Sequence, residues 1–234
     1  MSVLPRLASR GGLGNHRAMR PARRSTVRAL LLTLLVVVAA ACGSSGKAKT
    51  SMSSPTGGSS TIPGPEGVAL QQGPLLAPPG PDTTDTVNGV KCETSEQVAY
   101  HIHAHLAVFV NGVQKAIPGG IGIPGRVSEA AGAAKWVGSG TCFYFLHTHT
   151  NDGIIHIESP DARVFTLGDF FAVWGQPLSS TQVGPAKGTV TAYVAGKRYT
   201  GDPAKIPLTV HELIQLNVGT PSPPPQKIEL GNQV

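Results

Sequence analysis

The chain has 234 residues, 40% of them hydrophobic, and a formal net charge of +6. The positive excess is confined to the start: residues 1–28 hold seven arginines and no acid, whereas beyond residue 41 nine lysines and three arginines face thirteen acids, a net of about −1. A basic surface for nucleic acid is thereby excluded for the body of the chain.

The arginine-rich start leads into 29–41, which is apolar apart from Thr33, and then into Ala39-Ala40-Ala41-Cys42. A basic region, a short apolar core and small residues at a cut define a secretory signal. The apolar run is too short to span a bilayer comfortably. Residues 1–41 are read as a signal peptide of the lipoprotein type, with cleavage before Cys42 and lipid on its sulfur. Ala39 stands where Leu or Val is usual, and Met19 offers an alternative start. The expectation is an exported protein, lipid-anchored to the outer face of the cytoplasmic membrane or to the cell envelope.

Residues 42–91 are rich in Ser, Gly, Pro and Thr and read as a disordered, flexible tether. Residues 220–234, with Pro223-Pro224-Pro225, read as a flexible tail. One domain remains, 92–219, long enough for a single hydrophobic core. Cys92 and Cys142 form an even pair in an oxidising compartment, so a disulfide is expected.

Within the domain, 100–110 alternates. Ile102, Ala104, Leu106, Val108 and Val110 share one strand face, and His101, His103, His105, Ala107 and Phe109 share the other. Asn111-Gly112 reads as a hairpin turn into 113–117. Residues 118–125 read as a Gly/Pro loop and the Ala-rich 128–134 as a helical turn or loop. Residues 142–149 read as a strand, Asn151-Asp152-Gly153 as a turn and 154–158 as the returning strand. Leu167, Phe170, Phe171 and Trp174 repeat at helical spacing, with Thr166 as cap, Asp169 at the capping-box position and Gly175 as the stop. Strands 190–194 and 213–218 follow, the first ending in a turn at Ala195-Gly196. The fold class is mainly β, a small antiparallel sandwich or barrel with one short helix.

Six of the eight histidines fall in two alternating clusters: His101, His103 and His105, then His147, His149 and His156. Imidazole is a common ligand, and a His-x-His strand beside a third His can make a three-His site. A two-residue turn at 151–152 pairs His147 with His156 and one at 152–153 pairs His149 with His156; either puts His147, His149 and His156 on one face, with Glu158 beside them as ligand, supporting partner or general base. The first cluster offers a chelating pair, His103 with His101 or His105, in the same site or a separate one. His211 reads as a turn residue or an additional ligand. The domain contains no Met, and its two Cys are expected to be oxidised, so soft ligands are lacking. Zn²⁺ or Cu²⁺ is the expected cofactor, with affinity falling below about pH 6 as imidazoles protonate.

The segments His101-Ile-His-Ala-His-Leu106, Leu146-His-Thr-His149 with Gly153-Ile-Ile-His-Ile-Glu158, and Phe165-Thr-Leu-Gly-Asp-Phe-Phe-Ala-Val-Trp-Gly175 form a set. This set resembles an uncharacterised family of exported bacterial and archaeal proteins. The resemblance spans most of 92–219 and implies one unit; it carries no activity. The leading expectation is a lipid-anchored extracytoplasmic protein that captures or buffers Zn²⁺ or Cu²⁺. The alternatives are a three-His metalloenzyme activating water, with Glu158 as proton acceptor, and a surface binding or structural lipoprotein without metal. Expected partners are the membrane, through lipid on Cys42, and a metal ion. There is no Gly-rich phosphate loop in strand-to-helix context.

Overall fold

The structure, a computed structural model, describes residues 62–230. The expected signal peptide, Cys42 and the first part of the expected tether lie outside the described residues. The strands are β1 (Cys92–Glu93), β2 (Tyr100–Val110), β3 (Val113–Lys115), β4 (Val127–Ala131), β5 (Ala134–Ser139) and β6 (Phe143–Tyr144). Next come β7 (Leu146–His147), β8 (Ile154–Ser159), β9 (Phe165–Thr166), the helix α1 (Leu167–Trp174), β10 (Leu178–Ser179) and β11 (Gln182–Val183). The last are β12 (Ala186–Lys187), β13 (Val190–Val194), β14 (Lys197–Tyr199), β15 (Pro207–Leu208) and β16 (Glu212–Val218).

The main sheet runs in the order β14-β13-β16-β2-β8-β7, with β3 also paired to β2. The fold is mainly β with one short α-helix among the described residues, as the patterning indicates. Two features depart from an all-antiparallel barrel. The edges β14 and β7 do not join, so the sheet stays open. Its central pair is parallel: β16 lies beside β2 from Glu212 opposite Ala104 to Val218 opposite Val110. A parallel pair needs a long crossover, and everything between 111 and 211 supplies it.

Alternation sorts the side chains. Ile102, Ala104, Leu106 and Val108 of β2 join Ile155 and Ile157 of β8 and Ile214 and Leu216 of β16 in the hydrophobic core. α1 plugs that core with Leu167, Phe170, Phe171 and Trp174. The expected capping box is present: Thr166 Oγ1 accepts from Asp169 N at 3.2 Å, and Asp169 Oδ2 accepts from Thr166 N at 2.9 Å. Gly175 ends the helix at φ 70°. Asn111 and Gly112 both have positive φ, and Val110 pairs with Val113, the geometry of a two-residue hairpin.

The opposite face of the sheet is polar yet covered, and here the expected tether needs correction. Residues 62–91 are an integral strap of the domain. Val68, Leu70, Leu76 and Val90 are buried. Gln71 Nε2 donates to Leu106 O at 2.7 Å, and Gln71 Oε1 accepts from Ile117 N at 2.8 Å. The tail is also tied down in part. Asn217 Nδ2 donates to Pro223 O at 2.7 Å and Gln226 N donates to Gln215 Oε1 at 2.8 Å. Polar side chains on a buried face need partners, and strap and tail supply them.

Two local expectations also change. The Ala-rich 128–134 segment is a hairpin, β4 with β5, turning at Gly132; pairing overrides the helical propensity of alanine. The expected strand 142–149 breaks into β6 and β7, and beyond His147 the chain bonds elsewhere. Thr148 N donates to Ile121 O at 3.1 Å, and His149 O accepts from Val137 N at 2.9 Å. The Gly/Pro loop makes this possible: a Cβ on Gly122 would stand 2.3 Å from Leu146 O and 3.1 Å from His147 Cβ.

Candidate metal centre

Register brings the two histidine clusters together. β2 pairs with β8 so that His103 lies opposite His156 and His101 opposite Glu158. β7 pairs with β8 so that His147 also lies opposite His156. His156 is thus flanked on both sides by histidines. His149 lies outside the strands but reaches the same place, its ring centroid 4.4 Å from that of His156. Two triads have mutually close ligand atoms: His101, His103 and His156, and His147, His149 and His156.

His105 is not part of this convergence, a correction to the six-histidine set. Its pairing partner on β8 is Ile154, at the strand end. Beside it the 151–153 turn presents a carbonyl, and His105 Nε2 donates to Asp152 O at 3.0 Å. His211 lies in a turn with φ 55°, its N–H donating to His103 O.

The tautomers of His147 and His149 follow from their partners. A carbonyl only accepts, so His147 Nδ1 donates to Tyr144 O at 2.8 Å and His149 Nδ1 donates to Val137 O at 2.6 Å. Burial, then the charge of His156, lowers both rings' pKa values: His149 to about 4, His147 well below the ordinary value. Burial thus favours the neutral form of both, in which each ring with its proton on Nδ1 presents a bare Nε2 lone pair. The two Nε2 atoms face each other at 3.2 Å. Two acceptors at that distance repel unless a cation lies between them. Donors 2.0–2.1 Å from a tetrahedral ion are roughly 3.3 Å apart. A second ring nitrogen held by a backbone carbonyl is the usual arrangement for a metal-binding imidazole.

Carboxylates surround the rings, two of which sequence reasoning missed. Glu66 comes from the strap, and its Oε1 lies 2.8 Å from His156 Nε2. Glu96, between β1 and β2, lies 3.5 Å from His149 Nε2 and 3.9 Å from His147 Nε2. Glu158, anticipated from sequence, lies 3.0 Å from His101 Nε2 and 3.3 Å from His156 Nδ1. Of the remaining oxygens, Glu66 Oε2 and Glu158 Oε2 are buried without a hydrogen-bond partner. Unpaired buried carboxylate oxygens are expensive, and a divalent cation is the kind of group that offsets them. His101 is exposed and Glu96 is partly exposed, so the centre opens to solvent on that side. Trp136 of β5 stacks on His149 with centroids 4.3 Å apart and planes 12° from parallel.

Asp152 is a local source of instability. Burial, then the charge of Glu66, raises its pKa to about 7. The folded chain therefore holds a proton that the unfolded chain has released between about pH 4 and 7. Stability falls as pH rises through that window, and the full penalty persists above it. Asp152→Asn keeps an acceptor for Ile154 N and removes the charge. Metal-free protein carrying it is expected to unfold at higher temperature than the parent at pH 8, with the gap narrowing towards pH 4. An equal gap at both pH values would contradict this account.

The expected disulfide is present: Cys92 and Cys142 are bonded across 50 residues of sequence. It fastens the start of the Glu96 segment to the approach to β7. No family model matches the chain, and comparison with the curated proteins and with solved structures gave no match.

Proposed function

We propose that this is a lipid-anchored, extracytoplasmic metal-binding protein that captures and buffers Zn²⁺ or Cu²⁺ through its histidine centre. The observation that carries the metal reading is the 3.2 Å approach of two Nε2 acceptors whose Nδ1 protons are already committed to carbonyls. Nitrogen and oxygen donors without thiolate or thioether favour these two ions over Cu(I). Glu158 is 2% exposed and held between His101 and His156. That position suits a ligand better than a base facing a substrate, so binding is favoured over water activation. Export and the anchor rest on the sequence alone, on the basic-then-apolar start and Ala39-Ala40-Ala41-Cys42. A disulfide is compatible with an oxidising compartment.

Protein purified without added metal is expected to contain zinc or copper by elemental analysis. His147→Ala or His149→Ala should weaken binding at the position those rings line by roughly ten- to a hundredfold, whereas His211→Ala should leave most of it. Equal losses in all three variants would refute this centre. Labelling with a radioactive fatty acid, abolished by Cys42→Ala, tests the anchor.

A further inference from the structure

The donors around His156 are too many for one ion and divide into two sets. In the first, four atoms close a ring. His101 Nε2 is 3.0 Å from His103 Nε2, which is 3.1 Å from His156 Nδ1. His156 Nδ1 is 3.3 Å from Glu158 Oε1, which returns to His101 Nε2 at 3.0 Å. All four edges approximate the roughly 3.3 Å of a tetrahedral zinc site. Three nitrogens and one carboxylate oxygen also satisfy the ordinary coordination number of the ion.

The second set contains none of these nitrogens. His147 Nε2 and His149 Nε2 stand 3.2 Å apart, and Glu96 Oε1 is 3.9 and 3.5 Å from them. Glu158 connects the sets. Its Oε1 is also 3.9 Å from His147 Nε2, and Glu96, His147 and Glu158 form a ligand group of their own. Its Oε2 is buried without a hydrogen-bond partner. A carboxylate can ligate one ion with each oxygen. Charge points the same way: Glu66, Glu96 and Glu158 converge on the rings, and their partners in the ion pairs of this site are histidines.

We infer that the centre holds two divalent ions, one bound by His101, His103, His156 and Glu158 and the other by His147, His149 and Glu96, with the Glu158 carboxylate shared between them. This rests on the metal-binding reading above and adds the number and arrangement of the ions. The second ion, beside partly exposed Glu96, has fewer protein ligands and keeps a place for water or a small anion.

The test is a titration of the metal-free full chain with Zn²⁺, followed by Cu²⁺ loading and electron paramagnetic resonance. The expected results are two equivalents of Zn²⁺ per chain and a Cu²⁺ spectrum broadened by coupling between neighbouring ions. His103→Asn and His149→Asn are each expected to reduce the stoichiometry to one, with an uncoupled Cu²⁺ signal. One equivalent in the parent chain, with an isolated Cu²⁺ spectrum, overturns the two-ion inference and leaves the metal-binding reading intact. Absence of any binding overturns both. The spectrum of the parent chain decides the matter even where a variant fails to fold.

Discussion

Uptake of zinc at pH 7 is expected to release about one proton per chain, and affinity should rise about tenfold per pH unit between pH 7 and 9. The source is His156. Burial alone would lower its pKa, but hydrogen bonds to Glu158 and Glu66, and their charges, outweigh that and raise it to about 9. In the metal-free chain this ring is an imidazolium between two carboxylates. It must give up its Nδ1 proton to ligate. His103 and His149 have little to lose. Burial, then the charges of His156 and His101, lowers His103 to about 3, and His149 is held near 4. The direction follows: protons compete through His156 up to about pH 9, where the competition ends, and His103 and His149 add to it only below about pH 4. Ordinary imidazoles would instead give a flat profile down to about 6 and a steep fall beneath it. Calorimetry in two buffers of different ionisation enthalpy counts the proton. A flat affinity between pH 6 and 9 would sink this account of His156, and His156→Gln is expected to remove the slope while weakening binding.

Replacing both Cys92 and Cys142 by Ser is expected to lower stability by about 4 kcal/mol. That is the loop-closure value for a cross-link spanning 50 residues. The effect should not stop at stability. The bond joins β1, which leads to Glu96, to the chain just before β6 and β7, which lead to His147. Freed at that point, the Glu96 side of the centre should bind more weakly than the His101–His103 side. Urea unfolding of the two metal-free proteins checks the first effect, and zinc titration checks the second. An unchanged urea midpoint would mean that the sheets hold this corner without the covalent tie.

The elements legible in the sequence were those whose periodicity and punctuation agree. α1 announces itself through an aromatic stripe at helical spacing bracketed by Thr166 and Gly175. β2 and β8 show their two faces by strict alternation, but nothing in either strand names its neighbour, so the meeting of His103 with His156 was left open. The strap was not legible, because Val68, Leu70 and Leu76 are single apolar residues among Pro and Gly, with no period to mark a face. Glu66 was hidden for the same reason, and Glu96 had nothing in its surroundings to mark it. His105 was placed correctly on its strand, yet its fate was set by the carbonyl of Asp152, which only the path of the turn reveals. His149 reached the centre by a different route from the one its spacing suggested. The hairpin geometry assumed for 147–156 is a wider loop, and Val137 and Ile121 hold it where a strand partner was expected.

The parallel seam at the middle of the sheet bears on when the molecule can first load. β2 carries His101 and His103, and its parallel neighbour β16 is reached only after the whole crossover has been made. Pairings between such distant parts of a sequence close late. A nascent chain therefore has the strand for its first ligands long before the partner that fixes it. The proposed centre is completed late in folding, and any ion it takes up comes from wherever the folded chain resides.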